Sequence, residues 1–446
     1  MARRSVNPKP TRKALQKGRR STQRERLIAG MITAANRDGY AGASVSAVID
    51  EAGISRPTFY EYFADRDACF LATIGEVHER LIAAVRRALH EDGPEHALHA
   101  AIRALVGFAV ADYASARFLM NESLAGGVRA LDARDSSVAE IVVLIEQRYE
   151  ELQPGQSVPD FSTRILIGGI YRLLAVRTRR GDPNVSGLLD DLLSWVSSYG
   201  QPAEEHRWRS LAASQALARS PFLPDSPLRP PPPLPPGRPR IPPEEVADNH
   251  RRRLMFAAAL LADRKGYTAT TVADICKAAG IDVRGFYAMF ADKQEAFMAV
   301  HELGFQDLMA VTAGAFFAGT SWPERVWEAG RALTQFLESN PTIAHVGFVE
   351  AHAVGPGAVQ RVEDSHAAFT IFLQEGFQYA KPSSPPSRVA LEASVTAIFE
   401  IIYGRARASE DLRLSGLVPH VTFLILTPFL GPERANEFID EKLAAG

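Results

Sequence analysis

The chain has 446 residues, a hydrophobic content of 46% and a formal net charge of −2 at pH 7. This length suits two or more domains, and the apolar content is sufficient for packed cores. No apolar run approaches the ~18 residues that a membrane span needs, and the basic N-terminus lacks the apolar segment of a secretory signal. With only Cys69 and Cys276, a disulfide framework is excluded and a reducing cytoplasmic location is predicted.

One segment of the sequence occurs twice. Arg26–Phe70 aligns without a gap to Arg253–Phe297, and matching residues such as Gly39 and Gly266 are 227 positions apart. A period this long excludes a solenoid, whose units repeat every ~20–50 residues. The sequence therefore predicts a duplicated domain.

The first part of each copy has the pattern of two helices followed by a tight turn. In the first copy, a long amphipathic helix is expected to end at Gly39, and Ser44 can cap a short helix over Val45–Glu51. Gly53 follows, and glycine supplies the positive φ that a tight turn requires.

A third short helix completes each copy. Ser55 can cap it, and Pro57 suits its first turn, where a missing N–H costs little. Phe59 and Phe63 are four residues apart and are predicted to face inward. The side chains left for a DNA duplex are Arg56, Thr58, Tyr60 and Tyr62. Each copy is thus predicted to be a helix-turn-helix domain, which we call a reader.

These residues resemble the DNA-binding domain of the TetR family of bacterial transcriptional regulators. The first copy matches the family pattern from Ser44 through Phe70. The second copy departs from it at Asp282, Gly285 and Met289. It matches at Thr271, Val272, Ile275, Ala279, Gly280, Ile281, Phe286, Tyr287, Phe290, Lys293 and Phe297.

The resemblance implies that the third helix enters the major groove. The start of that helix would then lie nearest the base edges, where Arg56 could bind a guanine in a bidentate manner. Because Gly285 and Met289 lack the hydroxyls of Thr58 and Tyr62, the second reader is expected to bind more weakly or to read a different half-site. The predicted DNA-binding residues are Ser44, Ser55, Arg56, Pro57, Thr58, Tyr60, Tyr62, Arg66, Thr271, Val283, Arg284, Gly285, Tyr287 and Lys293.

Two segments of biased composition flank the first half. Residues 1–26 contain ten basic side chains against Glu25 alone, which favours a disordered arm drawn to phosphate or a solubilising tail. Pro221–Pro243 contains twelve prolines and is expected to be an extended polyproline II spacer between two folded units.

The remaining sequence reads as helices, without sustained period-two alternation, so an all-α fold is predicted. The expected helices of the second half include 293–318, 322–339 and 413–443. The family resemblance implies that this remaining sequence forms two helical bodies that bind ligands and dimerise. The helices expected to pair in the dimer include Phe161–Arg177 and Arg388–Tyr403. The chain could therefore form an intramolecular pseudo-dimer or a homodimer. The predicted organisation is a basic arm at 1–21, a first reader at 22–70, a first body at 71–220, a linker at 221–243, a second reader at 244–297 and a second body at 298–446.

Aromatic side chains in the bodies define candidates for an effector pocket, although such side chains also suit an ordinary core. A metal site at His345, Glu350 and His352 is disfavoured because helical spacing does not put all three on one face. No cofactor is predicted. The ligand-pocket candidates are Phe108, Tyr113, Phe118, Met120, Trp327, Phe336, His345, Phe348, His352 and Phe369.

The leading interpretation is a cytoplasmic regulator that binds double-stranded DNA, acts as a repressor and responds to an apolar small molecule. One alternative is a ligand-binding or protein-interaction scaffold whose second reader is vestigial. An enzyme on a helical scaffold is disfavoured because the sequence has no catalytic motif in a supporting context.

Overall fold

The computed structural model of the chain describes residues 12–91, 96–152, 162–200, 208, 217–234, 241–380, 385–408 and 412–445. Within these ranges the chain forms helices and turns and no strand. The predicted all-α fold class is confirmed.

Each half begins with one long helix and two short helices that contain its reader, and the helices of its body follow. The first half contains α1 (Arg12–Gly42), α2 (Val45–Ala52), α3 (Arg56–Tyr62), α4 (Arg66–Glu91), α5 (Ala97–Ala111), α6 (Tyr113–Arg117), α7 (Ser123–Ala125), α8 (Val128–Leu152), α9 (Thr163–Arg179) and α10 (Leu189–Ser197). The second half contains α11 (Pro243–Lys265), α12 (Val272–Ala279), α13 (Val283–Met289), α14 (Lys293–Ala318), α15 (Trp322–Ser339), α16 (Pro341–Phe348), α17 (Pro356–Ala368), α18 (Ile371–Gln374), α19 (Arg388–Ala408), α20 (Val418–Leu430) and α21 (Pro432–Ala445).

Some helix bounds differ from the sequence expectation. Helix α1 begins at Arg12, inside the arm that is expected to be disordered, and residues 1–11 lie outside the described ranges. This stretch contains no proline and is rich in good helix formers, which lets α1 extend toward the N-terminus. The single helix expected over 413–443 is divided, because Gly431 at φ 87° ends α20 and Pro432 begins α21.

The correspondence between the halves continues beyond the readers with an offset of 228 residues. Gly127 and Gly355 both precede a body helix and both have positive φ. Glu122 and Glu350, also 228 positions apart, make the same contact in their respective halves. The two bodies are therefore related as the two readers are.

The halves pack against each other within one chain. Helix α9 crosses α19 at Gly169, whose carbonyl accepts a hydrogen bond from the Thr396 hydroxyl at 3.0 Å. Nearby, the Trp195 indole N–H donates to Ser394 at 3.0 Å, and the buried Tyr199 hydroxyl donates to the Leu424 carbonyl at 2.7 Å. The two segments expected to pair are thus brought together, and one continuous apolar core spans both halves.

The described part of the proline-rich segment does not form the expected free spacer. The Ser220 amide donates to Gln335 at 2.8 Å, and the Leu228 amide donates to Asn340 at 2.7 Å. Leu223 is buried, and Leu228 packs on the core of the second half. Residues 217–234 therefore lie along the second half as a strap, because leucines between the prolines bury apolar surface there. Residues 235–240 are outside the described ranges.

In the described residues, no single helix is both long and apolar enough to cross a membrane. One pair of consecutive segments, Ala97–Ala111 and Tyr113–Ala125, meets the length and composition requirement together but is bent by 112°.

Candidate nucleic-acid interface

Local hydrogen bonds fix the turn of the first reader. Ser44 and Ser55 each accept a hydrogen bond from the backbone N–H three residues later, at 3.2 Å and 3.4 Å. Between them Gly53 has φ 60° and ψ 43°, the left-handed conformation that the sequence predicted. Arg26 of α1 donates to the Gly53 carbonyl at 2.9 Å. The start of α3 is therefore held in place from both sides of the turn.

The second reader reaches the same geometry with different side chains. Thr271 and Asp274 form a reciprocal capping box at the start of α12. Gly280 has φ 63° and ψ 38°, and Asp282 accepts a hydrogen bond from a backbone amide of α13 at 2.6 Å. Arg253 donates to a carbonyl of this turn, as Arg26 does in the first reader.

The third helix of each reader presents its outer face to solvent. Phe59 is fully buried, as predicted, and so is its equivalent Phe286, whereas their neighbours Tyr60 and Tyr287 are 50% and 57% exposed. The other exposed residues of the predicted interface are Ser44, Ser55, Arg56, Pro57, Thr271, Val283 and Arg284, and the partly buried ones are Thr58, Tyr62, Arg66, Gly285 and Lys293. The outer faces of both third helices are thus open to solvent, and the contact of these side chains with DNA remains a prediction.

Two basic residues of the predicted DNA interface have contacts of their own inside the readers. The Arg66 guanidinium lies 4.3 Å from the centre of the Tyr40 ring and donates to the Tyr40 carbonyl at 3.3 Å. The Lys293 ammonium lies 4.3 Å from the centre of the Tyr267 ring and donates to its carbonyl at 3.1 Å. Both residues therefore brace the reader in addition to any role toward DNA.

A glutamate from each body accepts a hydrogen bond from the reader of the same half. Glu122 accepts from the Tyr40 amide at 2.8 Å, and Glu350 accepts from the Tyr267 amide at 2.6 Å. Burial raises the pKa of Glu122 even though this backbone bond opposes the shift. The sequence reasoning missed this pair, which we call the reader latches. The sequence signal that could have revealed them is that both equivalent positions, 228 residues apart, carry a glutamate.

Three of the ten ligand-pocket candidates border cavities. Phe348 and Phe369 line a cavity of about 30 Å³ in the second body. His352 lines another of about 170 Å³ between the halves. Both are smaller than the ~300–1,000 Å³ of typical ligand sites. The remaining candidates are packed: Phe108, Phe118, Met120, Trp327 and Phe336 are buried in the apolar core, the Tyr113 hydroxyl donates to the Thr178 carbonyl at 2.6 Å, and His345 contacts two carboxylates.

His345 lies beside the latch of the second half. Its Nε2 is 3.5 Å from Glu350 and its Nδ1 is 3.8 Å from Asp263 of α11. Burial lowers the pKa of His345, but the two carboxylates outweigh burial and raise the pKa above its ordinary value. Among the described residues, no three ligating side chains are grouped as a metal site.

Two helix-turn-helix domains with exposed third helices, each mounted on a helical body, define a tandem helix-turn-helix protein. The model of bacterial regulatory proteins of the tetR family matches residues 32–73 and 254–300, one match in each reader. The chain thus carries the N-terminal domain of the tetR family twice, consistent with tandem duplication.

Individual relatives match parts of the chain. The HTH-type transcriptional regulator BetI of Ectopseudomonas mendocina (strain ymp) is 36% identical over 88 residues, which span 19% of this chain and 45% of BetI. The chain thus covers about half the length of that relative. The fatty acid degradation regulator FadR from Bacillus halodurans is 16% identical, with a TM-score of 0.34, over 38% of this chain and 94% of that one. A tetR-family regulatory protein from Rhodococcus RHA1 is 20% identical, with a TM-score of 0.35, over 41% of this chain and 97% of that one.

Proposed function

We propose that the protein is a cytoplasmic transcriptional repressor that binds double-stranded DNA with both readers of one chain. The observation that carries the proposal is the packing of α9 on α19, which joins two family-type readers through their own bodies. Regulators of this class bind two half-sites with two readers held at a fixed separation. Here one polypeptide supplies both.

The chemistry of the exposed third helices supports this proposal. Arg56 and Arg284 lie in the first turns of α3 and α13 and are exposed, so either guanidinium can reach a base edge. Tyr60 and Tyr287 present hydroxyls that can bind phosphates on the same surfaces. Since the first turns read Arg-Pro-Thr and Val-Arg-Gly, the two half-sites are expected to differ in sequence.

An apolar effector would act through the second body. Phe348 and Phe369 border the small cavity there, and a ligand must enlarge it to enter. Phe348 ends α16, two residues before the latch residue Glu350, which holds the Tyr267 amide. Displacement of α16 would therefore move the second reader relative to the first and break simultaneous contact with both half-sites.

Selection of duplex fragments with the purified chain, followed by binding at several salt concentrations, tests DNA binding. Arg56→Ala should relax base preference at one position by ~1–3 kcal/mol. Arg87→Ala, at an exposed site on α4, is the matched control and should leave the preference unchanged. Salt-independent or sequence-independent binding would contradict the proposal and favour the scaffold alternative.

The equivalent tyrosines test whether both readers take part. Tyr60→Phe and Tyr287→Phe each remove one hydroxyl from an exposed ring, and each should weaken binding to the selected duplex by ~3–10-fold. If only Tyr60→Phe weakens binding, the second reader is vestigial. Protection of two adjoining half-sites in footprinting should be lost together when an effector binds.

A further inference from the structure

Three charged side chains meet where the two halves cross. Arg134 of α8 donates two hydrogen bonds to Glu400 of α19, at 2.6 Å and 2.7 Å, and Arg172 of α9 donates a third at 3.2 Å. The Arg134 and Arg172 side chains are 2% and 7% exposed, and the Glu400 side chain is 12% exposed. We call these residues the axis cluster. Both arginines come from the first half, and the carboxylate comes from the second.

The contacts around this cluster follow an approximate two-fold axis. Arg179 of the first half pairs with Glu363 of the second, and Arg407 of the second half lies 3.5 Å from Asp135 of the first. The two ion pairs are equivalent to each other, because residue 179 corresponds to 407 and residue 135 to 363 at the 228-residue offset. A two-fold interface requires such reciprocal contacts. The ion pairs away from the axis would therefore form equally well between identical halves.

Residues on the axis itself behave differently. Gly169 and Ala397 are 228 positions apart and touch each other, so this contact lies on the axis. Arg172 and Glu400 are also 228 positions apart and also touch. In a dimer of identical halves each of these residues would meet its own copy. Two first halves would oppose Arg172 to Arg172, and two second halves would oppose Glu400 to Glu400.

We propose that the charge difference at Arg172 and Glu400 makes each half of this chain select the other half and reject a copy of itself. The equivalent position carries a positive charge in the first half and a negative charge in the second half. A first half therefore attracts a second half at this position, whereas two identical halves repel each other. Specific interfaces discriminate between partners in this way. This inference concerns assembly and does not depend on DNA binding.

A second asymmetry strengthens the selection. Arg134 corresponds to Val362, which is fully buried. Two first halves would bury four arginines at the axis with no Glu400 to receive them, and each Arg134 would keep only the more exposed Asp135 of its own half, at 3.1 Å. Two second halves would bury two carboxylates with no arginine at the equivalent sites. Removing the partner of a buried charge is strongly destabilising, so both identical pairings are disfavoured.

The test uses the full chain and follows amide hydrogen exchange in α9 and α19 together with mass in solution. Wild type should sediment as one chain with both helices protected. Glu400→Arg makes the axis positive in both halves and should speed exchange of both helices by at least ~100-fold. The control is Glu392→Arg. Glu392 lies on α19, as Glu400 does, but its pair with Arg177 of α9 is more exposed, so its loss should change the exchange rates little.

An exchange variant separates charge selection from simple damage to the fold. It combines Arg134→Val, Arg172→Glu, Val362→Arg and Glu400→Arg, so that each half receives the axis residues of the other. Protection and single-chain mass should return to wild-type values. Wild-type protection in Glu400→Arg, or failure of the exchange variant to recover protection, would overturn the proposal.

Discussion

At the scale of single residues, the closest approach between the halves depends on a missing side chain. A Cβ on Gly169 would stand 2.7 Å from the Ala397 Cβ and 2.9 Å from its Cα. Gly168 likewise leaves room for Glu400, whose Cγ would be 2.6 Å from an added Cβ. Adjacent glycines in the middle of a helix weaken it, so their presence here is explained by the crossing with α19.

Gly169→Ala is therefore expected to destabilise the chain, because the neighbouring atoms belong to the backbone and a short side chain that cannot move aside. We expect the free energy of unfolding in urea to fall by ~1–3 kcal/mol. Gly107→Ala on α5 is the matched control, since an added Cβ there meets no atom within 4 Å. It should instead stabilise the chain by ~0.5–1 kcal/mol. Equal effects of the two substitutions would contradict the close crossing.

At the scale of helices, His345 links protonation to the second reader latch. Its pKa is raised in the folded chain, so the protonated form favours folding. This contribution is fully present below the ordinary histidine pKa and is lost as pH rises through the raised value. His345→Gln should therefore cost more stability at about pH 6 than at about pH 8.

Urea unfolding of both proteins at the two pH values measures this difference. Burial lowers the pKa values of His301, His352 and His366, so these histidines make the free energy of unfolding rise with pH, opposite to the effect of His345. Their contributions are the same in the variant and in the wild type and cancel in the comparison. His78→Gln is a suitable control, because His78 contacts Glu140 in the first body, away from this latch. A cost of His345→Gln that does not change with pH would contradict the assignment.

Helical periodicity and turn residues predicted most of the helices. The expected bounds 293–318 and 322–339 agree with α14 and α15, and the caps at Ser44 and Ser55 form as predicted. Local sequence could not reveal what depends on tertiary contacts. The latches, the strap and the axis cluster join residues about 80 to more than 260 positions apart. The equivalence between the halves hinted at the latches and the axis cluster, and no sequence pattern indicated the strap.

At the scale of the whole molecule, the strap fastens the connection between the halves to the second body. Asn340 accepts from the Leu228 amide and donates to the Phe336 carbonyl at 2.8 Å. Asn340→Ala should raise the exchange rate of the Leu228 amide by ~10-fold or more, because a hydrogen bond in a partly buried site is lost. Asn249→Ala, which removes an exposed contact to Pro232, should leave that amide protected. Unchanged exchange in Asn340→Ala would mean that the strap is held by its leucines alone.

The proposed function requires that one chain supply both readers to one DNA site. The most direct measurement is the mass of the protein–DNA complex by sedimentation equilibrium, combined with footprinting of the selected duplex. We predict one chain of 48.7 kDa per duplex and two protected half-sites of different sequence. Two chains on a single palindromic site would contradict the account.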